Sequence, residues 1–209
     1  MRIQRPLHLL LSLVFLAAAF SAATVVENGG TTSSDDNTDF IRTSCNTTLY
    51  PKVCYSSLSR HANAVQQNPG QLARVAIAVS LLKVQSAASY LSNLTLKAGN
   101  SPAAKEVHDC FSKLDDAVDQ IRDSLKQMRQ IGSSGVGAGD GTSSFRFQMS
   151  NVLTWMSAAI TNEGTCMDGL NDVSEGPVKT DVSRRVTKVK KITSNALALA
   201  NSYSNKGMP

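Results

Sequence analysis

Four cysteines and a cluster of carboxylates are the side chains in this 209-residue sequence whose chemistry asks for an account. Cys45, Cys54, Cys110 and Cys166 could bind metal, act as nucleophiles or pair with one another. A thiolate metal site needs closely spaced CxxC or HxxxH partners. His61 and His108 provide no such pattern, so no metal is expected. An even cysteine count in an exported chain reads as two disulfides, for which three pairings exist. Cys45 and Cys54 are near neighbours in sequence, so local closure favours that bridge and leaves Cys110 with Cys166. On a chain-entropy account the short loop stabilises by roughly 2.7 kcal/mol and the long one by roughly 4 kcal/mol.

Asp115, Asp116, Asp119 and Asp123 could in principle serve as acid and base. They decorate the polar side of a helical repeat, where a solvated face or a contact surface for a basic partner is the expected use. The Gly-rich run from Gly132 to Ser144 (GSSGVGAGDGTSS) lacks the Gly-Lys-Ser/Thr ending and preceding strand of a phosphate-cradling loop. No GxSxG elbow, HExxH motif or free cysteine with a histidine base is present. No catalytic residue and no cofactor is therefore expected, and the chain reads as a binding protein rather than an enzyme.

The elements that must carry these side chains begin after a targeting segment. Arg2 and Arg5 precede an apolar run from Leu7 to Phe20, and Ser21-Ala22-Ala23 offers small residues for cleavage. Residues 1–23 are thus expected to be a signal peptide and the mature chain to be secreted, with no membrane association after cleavage. Losing Arg2 and Arg5 lowers the formal charge of +5 by two, leaving a mildly basic chain. Its densest basic stretch, Lys179 to Lys191, reads as a solvated helix face, and nucleic acid is not an expected partner. Residues 24–39 are polar and aperiodic and read as a disordered tail, with order beginning near Phe40. Residues 40–204 are expected to form the folded domain, and 205–209 a C-terminal tail.

From Phe40 to Val65 the chain suits a short helical hairpin stapled at its base by Cys45 and Cys54. Four long helices follow. The first, about Gln71 to Leu96, has one stripe of Ile77, Leu81, Val84, Ala88 and Leu91. Leu72, Val75, Val79 and Leu82 form a second. The next, Ala103 to Ile131, repeats Val107, Phe111, Leu114, Val118, Ile121, Leu125 and Met128 in alternating steps of about four and three. The third, Phe145 to Asn162, carries Met149, Leu153, Met156 and Ile160, with Trp155 as its anchor. It is expected to stop at Glu163-Gly164, with Cys166 beyond the stop. The last, Val178 to Ser204, has the stripe Val182, Val186, Val189, Ile192, Ala196, Leu199 and Tyr203. The fold class is all-α: an antiparallel four-helix bundle with an N-terminal disulfide-stapled helical hairpin. Asn46 and Asn93 open Asn-x-Thr sequons that export would expose to glycosylation, Asn93 being the less crowded.

The stretches CNTTLYPKVCYSSLS, CFSKLDDAVDQIRDSL, TWMSAAITNEGTCMDGL and ITSNALALANSY resemble the plant invertase/pectin methylesterase inhibitor family. The family's expected pairs fall on Cys45–Cys54 and Cys110–Cys166. TWMSAAITN, TCMDGL and SNALALANS look more like its pectin methylesterase branch, and the Pro-Lys-Phe motif of the invertase branch is not found. The resemblance implies an apoplastic, cell-wall inhibitor that lies across the substrate groove of a pectin methylesterase without reacting with it. It places the contact residues at Asp116, Asp119, Asn162 and Thr165. With no catalytic domain after Pro209, a free inhibitor is expected. An inhibitor of cell-wall or vacuolar acid invertase is the alternative, and a secreted carrier of a small apolar ligand a remote one.

Overall fold

The computed structural model of the chain describes residues 32–98, 102–133 and 141–206. Helix α1 (Thr32–Cys45) leads to α2 (Pro51–Leu58), a 3-10 turn (Ser59–His61) and the single turn α3 (Ala62–Val65). The long helices are α4 (Pro69–Ala98), α5 (Pro102–Ser133), α6 (Gly141–Gly169) and α7 (Pro177–Lys206). No strand occurs among the described residues. Helix α5 packs on α4 and α6, and α7 packs on the same two, closing a four-helix ring. Cys110 near the start of α5 meets Cys166 near the end of α6, and Tyr203 near the end of α7 lies against Gly70 at the start of α4. Neighbouring helices therefore run antiparallel.

The seams of α5 and α7 fill the core as their periodicity predicts. Val107, Leu114, Val118, Ile121, Leu125 and Met128 are buried, with Phe111 half-buried at the edge. Val182, Val186, Val189, Ile192, Ala196 and Leu199 oppose them. Helix α4, over Pro69–Leu96, is long and apolar enough to cross a membrane by length and composition, yet much of that surface faces the bundle. Its expected second stripe breaks at Leu82, which is 65% exposed. The entry to α4 is a cap: the Asn68 side-chain oxygen accepts the Gln71 N–H at 2.9 Å and Pro69 occupies the first turn. Gly70 is required by close approach, because a Cβ there would lie 2.9 Å from the Tyr203 ring.

Three expectations need correction. Helical order begins at Thr32, within the stretch read as a tail, because Asn37, Ile41 and Cys45 recur at one-turn spacing and are buried. Residues 24–31 lie outside the described residues. Helix α6 does not stop at Glu163-Gly164 but continues to Gly169, so Cys166 projects from inside a helix. Its buried seam is Met149, Val152, Met156, Ala159, Glu163 and Cys166, with Leu170 buried in the 3-10 turn that follows. Trp155 is only half-buried and is not the anchor, and Ile160 is likewise half-buried. A mid-helix glycine costs about 1 kcal/mol relative to alanine. Tertiary structure outweighs that cost here: the bridge from Cys166 holds the last turns down, and the Lys190 ammonium lies 3.1 Å from where a Gly164 Cβ would be.

Glu163 was the unexpected core residue. Its side chain is fully buried where α6 meets α7 and α4. Its Oε1 lies 2.7 Å from Thr193 Oγ1, which is also 3.0 Å from Ser80 Oγ and 3.1 Å from the Val189 carbonyl. The one hydroxyl proton of Thr193 cannot serve both the carbonyl and a carboxylate. When Glu163 is ionised Thr193 donates to Oε1; a proton on Glu163 would complete the set, with the acid donating to Thr193, Thr193 to Val189, and Ser80 to Thr193. Burial pushes the Glu163 carboxyl up from its ordinary 4.5 to about 8, against opposing pulls from Thr193 and Lys190. The second oxygen, Oε2, is buried without a hydrogen-bond partner, which further disfavours charge there.

A second buried polar clasp docks the N-terminal hairpin. Cys45 and Cys54 are disulfide-bonded with Cα atoms 5.5 Å apart, joining α1 to α2. Asn195 of α7, also buried, accepts the Tyr50 N–H at 3.1 Å and donates to the Tyr50 carbonyl at 3.0 Å. One amide thus satisfies both main-chain groups at the start of α2, where no side chain of the hairpin does.

Two outcomes follow from these clasps. Asn195→Ala should lower unfolding stability by about 1 kcal/mol or more, since it leaves the half-buried Tyr50 N–H unpaired; an unchanged urea midpoint would contradict the clasp. For Glu163 the folded pKa lies above the unfolded one, so the native state holds the extra proton. Stability from this group is full below pH 4.5 and is lost as pH rises to about 8. The loss is on the order of 4 to 5 kcal/mol. Glu163→Gln should flatten urea stability over that interval, and an unaltered pH slope would refute a neutral Glu163.

Candidate functional site

The face formed by α5 and α6 carries all four residues that sequence reasoning singled out. Periodicity sets it: with the α5 seam turned inward, Asp115, Asp116, Asp119 and Asp123 are exposed. Cys110 and Cys166, with Cα atoms 4.2 Å apart, fix one end of α6 against α5. Farther along, the buried Ser124 hydroxyl lies 3.3 Å from the Val152 carbonyl and bonds its own helix at the Gln120 carbonyl, 3.0 Å away.

Between these ties, the half-buried Asn162 donates its side-chain N–H to Gln120 Oε1 at 3.1 Å. Gln120 is one turn from Asp116 and adjacent to Asp119, so the bond brings the two helices' candidate residues together. Thr165 is exposed one turn beyond Asn162, its hydroxyl turned to the Thr161 carbonyl at 3.1 Å. Asp116 pairs with Lys113 at 3.5 Å, and Asp119 with Arg122. These pairs are solvated, and such pairs contribute about 0–1 kcal/mol each, so a partner's cations can replace them cheaply. Gln120 was missed; its spacing from Asp116 on one helix side was the available signal. The face offers hydrogen-bond acceptors, donors and exchangeable carboxylates. It presents no nucleophile with a base.

The basic stretch on α7 is occupied internally. Asp181 bonds Arg185 at 2.8 Å and also Arg184, and Arg185 stacks 3.8 Å above the Tyr90 ring. The hydrogen bond from Arg185, followed by those from Tyr90 and Arg184, holds the Asp181 carboxyl well below the usual carboxylate range. Lys191 lies over the Tyr50 ring at 5.4 Å. His108 stands edge-on to Phe111, on the surface. Among the described residues no three His, Cys, Asp or Glu side chains group as a metal site. Open clefts of about 440 and 460 Å³ run along the α4–α5 and α6–α7 grooves, whereas the space beside Cys54 and Leu58 is about 10 Å³. The last could admit no more than a water-sized molecule.

Residues 39–199 match the family described as plant invertase/pectin methylesterase inhibitor. A carrot (Daucus carota) protein called 21 kDa protein is 41% identical over 172 residues, covering 80% of this chain and 84% of its own. Pectinesterase inhibitor 11 of Arabidopsis thaliana is 39% identical over 173 residues, 80% and 82% of the respective chains. Pectinesterase inhibitor 3 of the same plant is 34% identical over 204 residues, 97% and 95%. The crystal structure of a pectin methylesterase inhibitor from Arabidopsis thaliana superposes with a TM-score of 0.53 over 78% of this chain and 95% of that one, at 15% identity. That likeness concerns the fold, and the nearer relatives concern descent. With its helical ring, both bridges and matched length, this chain belongs to the plant invertase/pectin methylesterase inhibitor family.

Proposed function

We propose that the protein is secreted to the cell wall and inhibits pectin methylesterase by laying its α5–α6 face across the enzyme's substrate groove. The observation that carries this reading is the Gln120–Asn162 bond, which ties α5 to α6 beside a covalent bridge and within about one turn of Asp116, Asp119 and Thr165 in sequence. A preorganised face loses little conformational entropy on association, so more of its contact energy appears as affinity. Acidic groups at the rim can pair with basic residues of the esterase and raise the association rate. Inhibition by occlusion asks for shape and persistence alone. Relatives named pectinesterase inhibitors support the esterase over acid invertase as the target. The space beside Cys54 and Leu58 gives no support to the carrier alternative.

Titrating the oxidised protein against both enzymes at acidic, wall-like pH tests the proposal. Pectin demethylesterification should fall stoichiometrically while sucrose hydrolysis is unchanged; the reverse pattern would transfer the assignment to invertase. The Asp116→Lys/Asp119→Lys pair should weaken esterase inhibition by about tenfold or more, or about 1.4 kcal/mol. Lys83→Glu on the outside of α4 should have little effect. Equal potency of the aspartate variant would remove those residues from the interface.

A further inference from the structure

The sequon at Asn93 stands beside a feature that the docking face does not use. Asn93 is exposed on the outer side of α4, and its side-chain N–H donates to the Ser89 carbonyl at 2.9 Å. Thr95 completes the sequon, its hydroxyl held to the Ser92 carbonyl at 2.7 Å. Asn93 forms the rim of the cleft of about 440 Å³ between α4 and α5. Gln85, Ser89, Ser92, Asp115 and Arg122 line it with amide, hydroxyl, carboxylate and guanidinium groups, and Phe111 gives it one aromatic surface. That mixture suits a sugar, whose hydroxyls seek such groups while its C–H face packs on a ring. The cleft falls within the range of about 300–1,000 Å³ found for small-ligand sites.

We propose that Asn93 carries an N-linked glycan and that its first sugars lie in the α4–α5 cleft against Phe111. The modification rests on the proposed export of the chain and is independent of its target. The new bond joins Asn93 Nδ2 to the anomeric carbon of a lipid-diphosphate-linked oligosaccharide. The lipid diphosphate leaves, and Nδ2 gives up one of its two hydrogens. The remaining N–H can keep the bond to the Ser89 carbonyl, so the sugar departs along the other valence. Residues at positions 111, 115, 118 and 122 turn one side of α5 toward this cleft, while Asp116 and Gln120 flank α6. The glycan therefore covers the α4 side of α5 as far as Arg122, the ion-pair partner of Asp119, and leaves the Gln120–Asn162 contact with α6 open. Asn46, in the turn after α1, is next to the Cys45–Cys54 bridge.

Secretion of the full chain from plant cells, followed by peptide mass spectrometry, tests the site without reference to any esterase. The peptide containing Asn93 should carry a glycan that Thr95→Ala abolishes; an unmodified Asn93 in secreted material would overturn the proposal. The seating is tested by the rate at which an N-glycan amidase releases the sugar from the folded protein. Release should be slow in the unaltered chain and at least about threefold faster in Phe111→Ser. Asp115→Ala/Arg122→Ala serves as a second variant that leaves the seam intact. Equal release rates in all three would refute the cradle while leaving the modification standing.

Discussion

The Cys110–Cys166 bridge is the constraint on which the working surface depends. It joins the start of α5 to the end of α6, two helices that otherwise meet through side chains alone. A covalent tie at one end fixes their register, and the buried Ser124 and half-buried Asn162 then fall opposite Val152 and Gln120. It also explains why α6 survives a glycine in its last third. The turns after Gly164 are held to α5 by a bond that local helix propensity cannot break.

The interior holds several buried polar side chains where two segments meet. Asn195 joins the hairpin to α7 by both groups of Tyr50. Glu163, Thr193 and Ser80 tie α6, α7 and α4 through one shared hydroxyl. Such groups stabilise when fully paired and penalise every register that leaves them unpaired. The neutral acid has a further consequence for place. At acidic pH Glu163 keeps its proton and its contribution to stability is retained, and Glu163 is flanked in sequence by Asn162 and is two residues from Thr165. A chain working in an acidic wall would hold its α6 surface under the conditions where the junction is firmest.

Much of this was legible in the sequence. The alternating steps on α5 and α7 are long and uninterrupted, so burial followed the apolar pattern closely. Cys45 and Cys54 announced the staple by proximity, and the resemblance gave the family. The errors cluster where tertiary contacts overrode local signals. Glu163-Gly164 reads as a helix stop because glycine is costly in an isolated helix; here the carboxyl is buried, which favours its neutral form, and Lys190 covers the glycine. Trp155 looked like an anchor by size, but the seam passes through Val152, Met156 and Ala159, one step to its side. Leu82 fits a stripe on paper and projects to solvent because α4 has only two long neighbours. Helix α1 was hidden by its polar composition, since its core contacts are few: Asn37, Ile41 and Cys45 are buried and Phe40 packs at the edge. The four contact residues came from the resemblance; the geometry adds the Gln120–Asn162 link between their helices.

The most direct test of a rigid, unreactive blocking surface is to remove the tie that makes it rigid. The paired substitution Cys110→Ser/Cys166→Ser should retain most of its helical circular dichroism, because the seams and the hairpin staple remain. Its inhibition of pectin methylesterase should weaken by about tenfold or more, or about 1.4 kcal/mol. Undiminished inhibition by a folded variant lacking that bridge would contradict the account.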